Sequence, residues 1–167
     1  ALLDELLCVL SEERPAEEPG IRLALFGFLC GRPYSGVLDL ISDLGGTIVA
    51  DDLWVGARYI ASDASEEGDP LEALANKLMN GPPCSTKHHP DRWVGPYLLE
   101  LVGQSRAKGV IIMPVKYCEP VGFDYPDLKD LLAKQDIPHL LLEIDETHSL
   151  SPARTRMQAF LEMLGAN

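Results

Sequence analysis

The chain has 167 residues, 46% of them hydrophobic and 24% charged, which suits a single domain burying roughly 70% of the surface its unfolded chain would expose. A formal net charge of −12 leaves no basic face for a nucleic-acid backbone, and no apolar run approaches the roughly 20 residues that cross a bilayer. Neither nucleic acid nor membrane is therefore an expected partner, and with no signal-peptide pattern at the start a cytoplasmic location is expected.

The chain opens in a helical pattern over residues 2–10, without an initiating methionine, and continues into an acidic stretch over 11–20. Residues 1–20 read as an N-terminal helix and linker, residues 21–167 as a Rossmann-like domain, and the whole as a piece of a longer protein. Four nearly continuous apolar runs follow, at residues 22–28, 47–51, 109–115 and 139–144. Strands covered on both faces by helices read this way.

After the first run, Val37, Leu38, Ile41 and Leu44 form a helical stripe stopped by Gly45-Gly46. After the second, Asp69 caps a helix with Pro70 at its first position, Glu72 completing a capping-box pattern and Leu71, Leu74 and Leu78 as its buried face. A further helix carries Tyr97, Leu98, Leu101 and Val102, starting or kinking at Pro96. Leu128, Leu131 and Leu132 mark the next, after Asp124 and Pro126. The last runs from a Ser151 cap through Met157, Phe160, Leu161 and Leu164 to Gly165. This alternation predicts an α/β fold, an open parallel four-stranded sheet of flavodoxin-like order 2-1-3-4 with helices on both faces.

In such a sheet, ligands bind beyond the carboxyl ends of the strands. Gly27, Gly31 and Gly36 do not match a dinucleotide fingerprint, and Asp51 and Asp52 read as loop caps. Cys84, His88 and His89 lack the fourth ligand and the CxxC spacing of a zinc site, so loop histidines are the better account. Cys8 and Cys30 sit in or beside apolar runs, as small buried hydrophobes do. Cys118 differs: it lies in Lys116-Tyr117-Cys118-Glu119-Pro120, directly after the most apolar strand. A lysine and a helix start nearby favour the thiolate, the form that ligates metal or attacks an electrophile.

The segment from Gly109 to Lys129, with its apolar strand, Lys116-Tyr117-Cys118-Glu119-Pro120 and Tyr125-Pro126, resembles the 2-hydroxyacyl-CoA dehydratase and benzoyl-CoA reductase family of iron–sulfur subunits. Ile137-Pro138-His139 through Asp145, Arg154-Thr155-Arg156 and Ala159-Phe160-Leu161-Glu162 resemble that family's closing strand and helix. Asp51-Asp52, Gly56 and Arg58 are similar to an upstream family segment, and Pro83-Cys84-Ser85 to a family loop.

The resemblance implies the C-terminal domain of a longer subunit, with a [4Fe-4S] cluster between two Rossmann-like domains. Cys118 supplies one cysteine ligand to it, and the subunit's own N-terminal domain supplies the other two. It also implies a second homologous subunit, an ATP-dependent iron–sulfur activator and an acyl-CoA substrate undergoing radical dehydration or ring reduction. By itself the fragment is expected to hold no cluster and to be inactive. Lys116 and Glu119 then tune the cluster's potential, the alternative being solvated loop charges. Arg58 is expected to face the crevice and bind an anionic group such as the phosphates of the thioester, the alternative being a salt bridge to Asp51 or Asp52. Rival readings are a non-catalytic cluster carrier of the same family and a nucleotide-binding module.

Overall fold

A computed structural model describes residues 4, 5, 8, 20–27, 35–84, 93–143 and 150–166. Of the predicted N-terminal helix only Asp4, Glu5 and Cys8 fall among them; all three are helical, and Cys8 is exposed rather than buried. The acidic linker up to residue 19, together with Cys30, His88 and His89, lies outside the described residues.

Four strands form one sheet: β1 (Ile21–Phe26), β2 (Gly46–Asp52), β3 (Gly109–Ile112) and β4 (His139–Leu141). Their order is β2-β1-β3-β4 and every pairing is parallel, as the apolar runs predicted. Side chains alternate across a strand, so β1 and β3 each feed two cores. On one face Leu23, Leu25 and Ile111 meet α1 (Ser35–Asp43), through Val37 and Ile41, and α6 (Ser151–Gly165), through Met157, Phe160 and Leu161. On the other, Ala24, Phe26, Val110 and Ile112 meet Val94 and Leu98 of α4 (Val94–Ser105) and Leu128 and Leu132 of α5 (Glu119–Lys134). Each fully buried leucine or phenylalanine is worth about 1.5–3 kcal/mol. The outer strands β2 and β4 are only half-buried, because each has a neighbour on one side alone.

Two more helices follow β2: a single turn, α2 (Ala57–Ile60), that the pattern did not predict, and α3 (Pro70–Asn80). Asp69 caps α3 as expected, its Oδ1 accepting from the N–H groups of Leu71 at 2.8 Å and Glu72 at 3.1 Å. The buried face is not the expected one. Leu71, Leu74 and Leu78 are 78%, 57% and 57% exposed, and the buried residue is Ala73. At 100° per residue Ala73 lies across the helix from the leucine stripe, so turning the small residue inward turns all three leucines out.

Two helix starts also differ. α5 begins at Glu119, not near Asp124, and runs through Pro126, whose fixed φ suits a helix at the loss of one hydrogen bond. α6 is capped by Leu150, whose carbonyl accepts from Arg154 N–H at 2.8 Å, while Ser151 already belongs to the helix. α4 starts at Val94, so Pro96 sits harmlessly in its first turn. No helix among the described residues is long and apolar enough to cross a membrane.

One pH dependence arises at the edge of the sheet. His139 Nε2 lies 3.4 Å from the Tyr125 hydroxyl, the two rings meeting edge-on. Burial holds the imidazole below its ordinary value of 6.5, against a raising hydrogen bond from the Ile137 backbone, and Lys129 lowers it further. Above that value both the folded and the unfolded chain carry a neutral ring; as pH falls, the unfolded chain takes the proton first. Stability is therefore lost on acidification through the mid-6 range. His139→Gln should flatten the urea-denaturation midpoint between about pH 7 and 5. An unchanged slope would remove His139 from the account.

Candidate functional site

The site grows out of the end of β3. Met113 N–H donates to the Phe26 carbonyl at 2.7 Å, carrying the β1–β3 ladder one step past the strand. The chain then turns through Lys116 and Tyr117, closed by Cys118 N–H donating to the Val115 carbonyl at 2.9 Å. Tyr117 takes the left-handed conformation, with φ 68°. That turn delivers Cys118 to the cap position of α5, where Gly122 N–H donates to its carbonyl at 3.1 Å.

The Cys118 sulfur makes no capping bond and is half-buried, so it remains available to a ligand. It sits at the positive end of a 16-residue helix, which attracts negative charge. A cavity of about 430 Å³ opens there, lined by Lys116, Cys118 and Glu119 and closed on its far side by Tyr125, Leu141 and Glu143. Lys116 Nζ lies 5.3 Å from the centre of the Tyr117 ring, over its face. Tyr117, which lines the same cavity, is 87% exposed and leaves an apolar ring beside the thiol.

The left-handed Tyr117 carries a cost of about 1–2 kcal/mol that a glycine escapes, and its ring returns little packing. Tyr117→Gly should therefore leave thermal stability unchanged or slightly raised, whereas the β-branched Tyr117→Val should lower it by about 1–2 kcal/mol. Equal melting temperatures for the two variants would contradict this account of the turn.

Beneath the Cys118 loop lies a small apolar cluster of Cys84 and Val121, against which Trp54 and Cys118 pack. Cys84 is only 4% exposed. Its burial was foreseeable from a thiol's hydrophobicity, but its place beside Cys118 was not, since the two belong to loops far apart in the chain.

The remaining predicted residue is placed elsewhere. Arg58, on α2, is buried, and its guanidinium is engaged internally. Nη2 pairs with Asp52 Oδ2, and Nη1 donates to the carbonyls of Pro82 at 3.2 Å and Pro83 at 2.9 Å. The Trp54 and Tyr97 rings flank it, with centroids 5.6 and 5.9 Å away. The salt-bridge alternative is thus the arrangement found, with Asp52 as the partner. Burial pushes the Asp52 carboxyl above its ordinary range against the pull of Arg58, and burial together with the Asp52 charge pushes Tyr97 up to about 12.

Asp51 has the capping role expected of it. Its Oδ1 accepts from Leu53 and Ala57 N–H, each at 3.0 Å, in the space that a side chain on Gly56 would fill. Among the described residues no group of three or more His, Cys, Asp or Glu side chains is placed to hold a metal ion.

Comparison with known proteins converges on the same family. The model of the 2-hydroxyglutaryl-CoA dehydratase D-component family matches residues 1–164, and the chain belongs to that family. It is 31% identical over 98% of its length to the (R)-phenyllactyl-CoA dehydratase beta subunit of Clostridium sporogenes, covering 42% of that protein. It is 30% identical over 97% of its length to (R)-2-hydroxyglutaryl-CoA dehydratase subunit beta of Acidaminococcus fermentans, covering 44%. A subunit of the benzoyl-CoA reductase of Thauera aromatica is 24% identical over 98% of the chain, with 43% of its own length covered. The chain thus spans less than half the length of the curated relatives it matches.

Proposed function

We propose that this chain is part of a subunit of an enzyme of the 2-hydroxyacyl-CoA dehydratase or benzoyl-CoA reductase type, in which Cys118 gives one thiolate to a [4Fe-4S] cluster. The observation that carries this reading is the Cys118 sulfur. It is unused by its own helix, it opens on a cavity beyond the carboxyl end of β3, and it lies in a chain of this family.

The donor set fits a cluster shared with protein outside this chain. Cys118 is a soft ligand of the kind iron–sulfur clusters take, and the described residues around it add no third donor that would close a separate site. When bound, the cluster supplies single-electron chemistry to an acyl-CoA. Around it Lys116 places a cation and Glu119 an anion at the mouth of the cavity, where charge adjusts the cluster's potential. Tyr125 and Leu141 wall the cavity on the side of the sheet. The further partners in this reading are the remainder of the subunit, a second homologous subunit and an ATP-dependent activator.

Anaerobic reconstitution of the intact subunit with its partner subunit, followed by iron and sulfide analysis and turnover with 2-hydroxyacyl-CoA and reduced activator, tests it. Stoichiometric cluster together with activator-dependent dehydration, or reduction of an aromatic acyl-CoA, is the expected result. An intact complex that binds no iron would overturn the proposal.

A further inference from the structure

We propose that Arg58 is a positioning residue: anchored by Asp52, it clamps the Pro82–Pro83 backbone and so holds Cys84 as the floor on which the Cys118 loop rests. The inference builds on the reading of Cys118 as the ligand-bearing residue, but its test does not depend on that reading.

The guanidinium is suited to this task because it is planar and offers several donors in one rigid fork. One arm is held by the Asp52 carboxylate, which closes β2, and the other reaches two successive carbonyls across the turn before Cys84. The residue immediately after those carbonyls is Cys84, which forms with Val121 the apolar floor beneath Cys118. Trp54 completes the link. It lies against the Arg58 guanidinium and also packs on the Cys84–Val121 pair.

The sheet edge at β2 and the loop at the end of β3 are thereby coupled through a single buried cation. Loops are the part of a fold that opens most easily, and Pro82 and Pro83 lie in neither strand nor helix, between Gly81, tied to the end of α3, and Cys84, an isolated bridge residue. The two carbonyl bonds from Arg58 restrain that stretch, and partly buried carbonyls left without donors would favour movement of the loop toward water. An arginine that serves the site in this way touches neither cluster nor substrate.

The test uses the intact subunit without cluster and reads the rate at which iodoacetamide labels each cysteine, mapped by peptide mass spectrometry. Amide exchange of β1 and β3 is followed in parallel. In the wild type Cys84 should label far more slowly than Cys118. Arg58→Met should speed labelling of Cys84 by about ten-fold or more while the β1 and β3 amides keep their protection. Because that variant leaves Asp52 buried without its cation, the double variant Asp52→Asn, Arg58→Met is measured beside it and decides the matter if the single one does not fold.

Arg58→Lys supplies the sharper discrimination. A lysine restores the charge opposite Asp52 but has one nitrogen, so it lacks the second arm that reaches the carbonyls while the first holds the carboxylate. The clamp predicts wild-type amide protection with Cys84 still labelled fast. Cys84 as slow as in the wild type in Arg58→Lys, or labelling that rises only in step with the β1 and β3 amides in the other variants, would overturn the proposal. Loss of cluster from Cys118 variants is a separate measurement, so failure of the clamp and failure of the ligand assignment are told apart.

Discussion

In the intact subunit, Cys118→Ser should abolish or sharply reduce cluster binding while the fold persists. The fold should persist because residue 118 lies at the cap of α5, beyond the strand, with its sulfur half-buried and unused in capping. Serine is among the better cap residues, so the change should be neutral or should stabilise the helix by up to about 1 kcal/mol. The cluster should suffer because a hydroxyl is a poor, hard substitute for a thiolate on iron. Anaerobic absorbance in the iron–sulfur charge-transfer region, with far-ultraviolet circular dichroism as the fold control, reads both effects.

The companion variant is Cys84→Ser. It buries a hydroxyl in an apolar cluster and should cost about 1–3 kcal/mol of stability while the cluster remains bound. The reverse pattern, with cluster kept in Cys118→Ser and lost in Cys84→Ser, would transfer the ligand role to the Pro83–Cys84 loop.

Gly27→Ala should be among the most damaging single substitutions, lowering stability by about 3 kcal/mol or more. Gly27 follows β1 with φ 154°, a conformation that side chains rarely adopt. A Cβ built there overlaps the carbonyl oxygen of Met113, on the chain leaving β3. Neither group can yield cheaply, because Met113 is tied to Phe26 by its own N–H and is fully buried. The strain would therefore pass into Pro114 and the turn that presents Cys118. Urea denaturation measures the loss; a stability within about 0.5 kcal/mol of wild type would show that the two strand ends are not in contact.

The residues themselves determined the parallel sheet and its order. Runs such as Leu23–Phe26 and Val110–Met113 have no polar alternation, and only a strand covered on both faces can bury every residue in that way. They also determined that Cys118 lies just past β3, because the position of a loop follows from where a strand stops.

Which face of α3 turns inward was decided by tertiary packing. The leucine stripe and Ala73 are equally legible in sequence, and the folded chain buries the smaller residue and leaves the leucines exposed. The same holds for Arg58, whose partners Asp52, Pro82 and Pro83 come from a strand end and a distant loop that meet only when the sheet has formed. It holds again for Cys84, which packs with Cys118 only in the folded chain. Local periodicity specifies elements and their termini. Partnerships between termini depend on how the chain crosses over the sheet, and no short stretch of sequence contains that information.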